Sequence, residues 1–212
     1  MPLAGVVGGG CRAADLLPAI APAPQPVAGR PPRAIEAAAP PLTNSVFVFA
    51  GTYAIGNMLQ TMSLFDASYV STHIVGAAYE RDLLAPGLGF VIGGEIGVGD
   101  RFGDGNSGEL WGGVQVRYNG APLFNILYIR PGVTAGLSYV TNAIAIERQR
   151  EISYNGNAHL LFYFSPELAF ALAQYPNLEI VYRLQHRSGL YGALGHLHEG
   201  ANASVVGLRY RF

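Results

Sequence analysis

The chain lacks what a disulfide scaffold, a nucleic-acid binder or a helical membrane protein would need. Its single cysteine, Cys11, excludes an internal disulfide framework. There is no lysine: all 13 basic residues are arginine, set against 14 acidic ones. The net charge of −1 gives no electrostatic case for nucleic acid as a partner. Only 13% of residues are charged while 50% are hydrophobic, yet no apolar run approaches the roughly 18 residues of a membrane-spanning helix. Apolar composition without long apolar runs is the pattern of a membrane β-barrel, whose strands are hydrophobic only at alternate positions. Motifs for bound groups are also wanting. Gly103-Asp104-Gly105-Asn106-Ser107-Gly108 fits G-x-G-x-x-G, but no helix follows and no βαβ unit surrounds it. Asp104, Asn106 and Glu109 are too few for a calcium loop, and His196-x-His198-Glu199 reads as exposed loop histidines. No metal and no cofactor is expected.

What is present divides the chain in two. Residues 1–44 are rich in Ala, Pro and Gly and lack periodicity. Met1 to Gly10 reads as the tail of a secretory signal without its basic n-region, and the stretch to Pro41 reads as a disordered linker. Gly8-Gly9-Gly10-Cys11 lacks the aliphatic residue that a lipoprotein signal carries before its cysteine. Residues 45–212 read as one domain of eight strands, near 45–53, 69–81, 87–98, 109–118, 126–139, 157–165, 177–188 and 203–212.

Alternation is clear in several of these strands. Leu88, Phe90, Ile92, Ile96 and Val98 oppose Val91, Gly93, Glu95 and Gly97; Leu110, Val114, Val116 and Tyr118 oppose Glu109, Trp111, Gln115 and Arg117. Polar, long connections (100–108, 142–156, 189–201) follow odd strands. The shorter Leu83–Pro86 and Asn119–Phe124 follow even ones, and the linker from Ser165 to Tyr175 breaks the regularity. The chain ends in the alternating run Leu208-Arg209-Tyr210-Arg211-Phe212. Together these features predict an all-β fold, an eight-stranded antiparallel transmembrane β-barrel of outer-membrane type. At that size side chains fill the interior. Glu95, Glu109, Arg117, Arg130, Glu179, Arg183 and Arg209 are expected there as an ion-pair network, since buried charges need partners.

The last strands hold the candidate chemistry. Leu178, Ile180, Tyr182, Leu184, His186 and Ser188 share one face; Glu179, Val181, Arg183, Gln185 and Arg187 share the other. With the apolar face toward lipid, His186 and Ser188 point outward, about 6.6 Å apart along the strand, within reach of a base-activated serine. Ten residues of tilted strand span about 23 Å, so Asn202, ten before the terminal Phe212, reaches the outer interface on the same face. An interfacial girdle, in which His and Ser merely meet headgroups, would give the same pattern.

Three segments add a family resemblance. Tyr182-Arg183-Leu184-Gln185-His186-Arg187-Ser188-Gly189, Gly200-Ala201-Asn202 and Gly207 through Phe212 resemble the C-terminal signature of the PagL lipid A 3-O-deacylase family, also labelled acyloxyacyl hydrolase. Glu95 through Gly103, Glu109-Leu110-Trp111-Gly112-Gly113 and Leu160 through Glu167 resemble its bacterial members too, so the similarity spans residues 45–212. The resemblance implies an esterase in the bacterial outer membrane that releases an ester-linked acyl chain from lipid A. Its partners would be lipopolysaccharide and outer-membrane lipids, with homodimerisation left open. By position, His186 would be the general base and Ser188 the nucleophile. Asn202 stands where the characterised enzyme has Glu, and Glu199, three residues earlier, is the alternative acid. Gly189 replaces an oxyanion-site Asn, leaving the N–H groups of Gly189 and Leu190 as candidate donors. The rival readings are a non-catalytic outer-membrane barrel derived from such enzymes and a soluble lipocalin-like barrel, the latter disfavoured by the inward Glu and Arg.

Overall fold

The computed structural model describes residues 43–63 and 67–212; the signal-like and linker readings of residues 1–42 lie outside them. Eight antiparallel strands follow one another around a closed barrel: β1 (Asn44–Ile55), β2 (Ser68–Gly87), β3 (Phe90–Phe102), β4 (Ser107–Tyr118), β5 (Leu127–Val140), β6 (Leu160–Leu172), β7 (Leu178–Ser188) and β8 (Ala201–Arg211). The ring closes where β1 pairs with β8, from Ser45 opposite Arg211 to Ala54 opposite Asn202. Closure leaves no free strand edge, a condition for spanning hydrocarbon. Two short helices, α1 (Met58–Met62) and α2 (Ala145–Tyr154), lie in the connections after β1 and β5.

All eight predicted strands are present, with two corrections. Leu83–Pro86, expected to be a turn, belongs to β2, which shifts register after Asp82 and again after Leu84. The chain reverses at Leu88-Gly89, both with positive φ. The expected linker from Ser165 to Tyr175 is largely strand: β6 runs to Leu172, with Ser165, Glu167, Ala169 and Ala171 buried. Pro166 interrupts the ladder because it has no N–H. Pairing with β7 skips from Phe164 to Glu167, and the Ser165 hydroxyl donates to the Leu184 carbonyl at 2.8 Å beside the gap. The turn is thereby reduced to residues 173–177, but the alternation of lengths is not strict: β3 runs to Phe102 and β4 starts at Ser107, so the expected long connection 100–108 shrinks to 103–106, shorter than 119–126 after β4.

Side-chain polarity is inverted relative to a soluble protein. Val46, Val48, Ile96, Val98, Leu110, Val114, Ile180 and Leu208 are exposed on the outer wall. Inside, among the described residues, seven buried arginines (Arg101, Arg117, Arg130, Arg183, Arg187, Arg209 and Arg211) meet seven buried carboxylates (Glu80, Asp82, Glu95, Glu109, Glu147, Glu167 and Glu179). Arg183 pairs with Glu95 at 2.7 Å and Glu167 at 2.5 Å; Arg209 bridges Glu80, Glu167 and Glu179 at 2.8, 2.6 and 3.0 Å. Glu95 also accepts from Trp111 Nε1, Gln115 and Thr134. The Trp111 ring occupies space that any side chain at Gly97 would claim, since a Cβ there would lie 2.2 Å from it. The network predicted from seven residues is thus present and larger, with α2 contributing Glu147 from above.

Removing one partner of such a pair strands the other without solvation, at about 3–5 kcal/mol. Arg209→Ala, which leaves three carboxylates short of a cation, should lower the urea midpoint of the detergent-folded barrel by a corresponding amount, followed by gel mobility. An unchanged midpoint would show that the network is not what holds the wall together.

Candidate active site on the outer wall

His186 and Asn202 lie directly opposite each other on β7 and β8, on the outer face near the end from which α1 and α2 emerge. The His186 Nδ1 and the Asn202 Oδ1 are 2.6 Å apart. The other end of the same amide donates from Nδ2 to the Gly56 carbonyl at 2.9 Å. A backbone carbonyl can only accept, so the amide orientation is fixed and Oδ1 must face the imidazole. Nδ1 therefore carries the proton and donates, leaving Nε2 as the free base. That is the tautomer a general base needs.

Asn202 was expected to face lipid. It is on the outer side as predicted but is buried, because the β1–β2 connection folds down over β7 and β8. Ser204 Oγ donates to the Thr61 carbonyl at 2.8 Å, the Tyr182 hydroxyl donates to the Met62 carbonyl at 3.1 Å, and Thr61 is fully buried. Asn57 caps α1, accepting from the Gln60 N–H while the Gln60 side chain accepts from the Asn57 N–H. This helix was absent from the sequence reading, although Asn57-x-x-Gln60 is a capping signature that could have shown it.

Ser188 is half-buried one step up the strand and lines the same cleft as His186, a groove of about 770 Å³. Its walls come from α1 (Met58, Leu59), α2 (Gln149, Arg150, Ser153, Tyr154) and the β7–β8 loop (Leu190, Tyr191, His198, Glu199). Among the described residues no hydrogen bond joins Ser188 to His186, so two of the three expected partners are brought together and the third stands beside them. Glu199 makes no contact with His186 among the described residues: it pairs with Arg150 at 3.1 Å, and Arg150 also donates to the Gly200 carbonyl. Gly189 has a packing reason, since a Cβ there would lie 1.9 Å from the Leu197 carbonyl oxygen. Leu190 and Tyr191 follow it with φ of 48° and 56°, and Leu190 lines the cleft. Three of the four remaining histidines have structural partners: His73 contacts Thr52, His159 donates to the Val140 carbonyl, and His198 stacks on Tyr154. No group of three metal-ligating side chains occurs among the described residues.

The α2 wall is anchored from inside. Glu147 pairs with Arg101 at 3.0 Å and with Arg187, the residue between His186 and Ser188, and its carboxylate also accepts from the Ile144 N–H. Burial alone would raise the Glu147 carboxyl, but Arg187 and Arg101 hold it below the ordinary carboxylate range.

These features define a transmembrane β-barrel of the bacterial outer-membrane type, with a polar cluster on its lipid-facing wall. No protein-family model and no curated protein matches the chain. Solved structures do. The outer membrane enzyme PagL is similar at a TM-score of 0.50 and 11% identity, covering 78% of this chain and 98% of that one. Neisserial surface protein A follows at 0.48 and 8%, covering 81% and 96%. The N-terminal barrel domain of Pseudomonas aeruginosa OprF follows at 0.44 and 13%, covering 80% and 97%. The likeness is one of fold.

Two measurements check this geometry. Nitrogen-15 spectra of His186 should show the neutral Nδ1–H tautomer, lost in Asn202→Ala; an Nε2–H signal in the unsubstituted protein would overturn the assignment. Glu147 is depressed in the folded state, so its contribution is full above the ordinary carboxylate value and fades as pH falls through the lower folded one. Amide exchange in α2, corrected for intrinsic rates, should therefore quicken only below about pH 4. Glu147→Gln should exchange fast at every pH, and a pH-independent, protected wild type would contradict the anchor.

Proposed function

We propose that the protein is a serine esterase of the outer membrane that removes an ester-linked acyl chain from lipid A. The observation that supports this most is the imidazole held by Asn202 with its Nε2 free, in a lipid-side cleft that also contains Ser188. Oγ of Ser188 attacks the ester carbonyl while His186 Nε2 takes its proton. Collapse of the tetrahedral intermediate returns that proton to the departing sugar hydroxyl and leaves an acyl-serine. Water, deprotonated by the same imidazole, then releases the fatty acid and restores the serine. Residues two apart on a strand are about 6.6 Å apart at Cα, and such pairs commonly tighten only when substrate binds. The N–H groups of Gly189 and Leu190, which donate to no acceptor among the described residues, are candidate stabilisers of the oxyanion.

Asparagine orients a neutral imidazole but stabilises its cation less than a carboxylate does. A modest rate and a dependence on the neutral imidazole follow. The fold resemblance to an outer membrane enzyme is compatible with this reading, and the similarity to other outer-membrane barrels is equally compatible with a non-catalytic one.

Mass spectrometry of lipid A from cells making the protein should show loss of one acyl chain. Ser188→Ala should abolish it, and His186→Ala should lower the rate by about 10²–10⁴-fold. Unaltered lipid A from cells carrying a correctly folded barrel would favour the non-catalytic reading.

A further inference from the structure

We propose that α1 is the acyl-chain wall of this cleft, with Met58 and Leu59 selecting chain length; the proposal rests on the esterase reading. A five-residue helix has no stability of its own. This one is held on the outside of the barrel by Ser204, Tyr182 and Asn202, through the carbonyls of Thr61, Met62 and Gly56. Its buried side is Thr61, while Leu59 is 72% and Met62 40% exposed. An apolar pair left outward on a lipid-facing wall is costly in water and favourable against hydrocarbon.

The cleft has both apolar and polar lining around its chemical centre. Met58 and Leu59 of α1 and Leu190 of the β7–β8 loop give it apolar lining, Gln149, Arg150 and Ser153 of α2 polar lining, and His186 and Ser188 are also on its wall. An acylated sugar has the matching division, apolar on the acyl side of its ester and polar on the alcohol side. The occupant of the α1 side is therefore the acyl chain of the ester under attack.

Asn202 links this wall to the base. Among the described residues, its amide alone bonds both the imidazole and the root of α1, through Oδ1 and Nδ2 respectively. A carboxylate could orient His186 but could not donate to the Gly56 carbonyl, and would set two acceptors against each other. This gives a physical reason for Asn at 202: the amide aligns the imidazole and seats the chain-binding helix at once.

The test uses p-nitrophenyl esters from butanoate to hexadecanoate with the full-length barrel in detergent micelles, taking only Ser188-dependent hydrolysis. Leu59→Trp should lower the ratio of dodecanoyl to butanoyl kcat/KM by about tenfold or more, the scale of a hydrophobic-pocket mismatch. Leu59→Ala should move the optimum to longer chains. Profiles of unchanged shape for both variants would overturn the proposal. A second measurement needs no turnover. In Ser188→Ala, the fluorescence of Leu59→Trp should be quenched more by a glucosamine lipid with brominated acyl chains than by equally brominated phosphatidylcholine. Equal quenching would reduce Leu59 to an ordinary lipid-facing residue and overturn the wall. Absence of all hydrolysis, with selective quenching retained, would instead reject the esterase reading while leaving the wall in place.

Discussion

The structure depends on neutralising charge inside a closed wall. Arginine and carboxylate side chains in the lumen are cut off from bulk water, and each alone would cost several kcal/mol. Matched one for one and cross-linked between strands distant in sequence, they convert that penalty into a constraint on strand register. Arg183 and Arg209 together touch carboxylates from β2, β3, β6 and β7. A one-residue slip of any of these strands would turn its charged row into the bilayer. Apart from the exposed Arg81 at the far end, the outer wall is then free to be mostly apolar, with one exception near the α1 and α2 end.

That exception is where the functional reading lies. The polar residues there are not scattered: His186, Asn202, Ser204 and Tyr182 share one outward face, and three of them hold the segment that shields part of that face from lipid. Hydrogen bonding thereby lets a polar cluster exist on a wall that hydrocarbon would otherwise forbid. The same outward placement opens the cleft beside the cluster toward the side of the barrel.

Much of this was legible in the sequence, for a definite reason. Period-two alternation assigns each residue of a strand to one side of the wall, so it places His186, Ser188 and Asn202 outward and Arg183 inward. What failed involved residues whose role is set by tertiary contact. Pro166 lowers the expectation of strand, and the Ser165–Leu184 hydrogen bond that accompanies β6 across that point leaves no local trace. α1 is too short to carry a periodic signal, and α2 was hidden in a connection read only as polar. The pairing of Glu199 with Arg150 depends on where α2 lies, so exchanging one candidate acid for another could not be judged from spacing. The covering of Asn202 was invisible for the same reason.

The packed lumen has a further consequence. Tryptophan, phenylalanine and ion-paired side chains are packed inside the described barrel, and on the proposed esterase reading a lipid reaches the outer wall from within the leaflet. On that reading, supply to the cleft is a two-dimensional encounter problem. It is governed by how many lipid molecules occupy each unit of surface and how fast they diffuse past β7 and β8, and crowding of the leaflet, not solute concentration, sets how often the groove is visited.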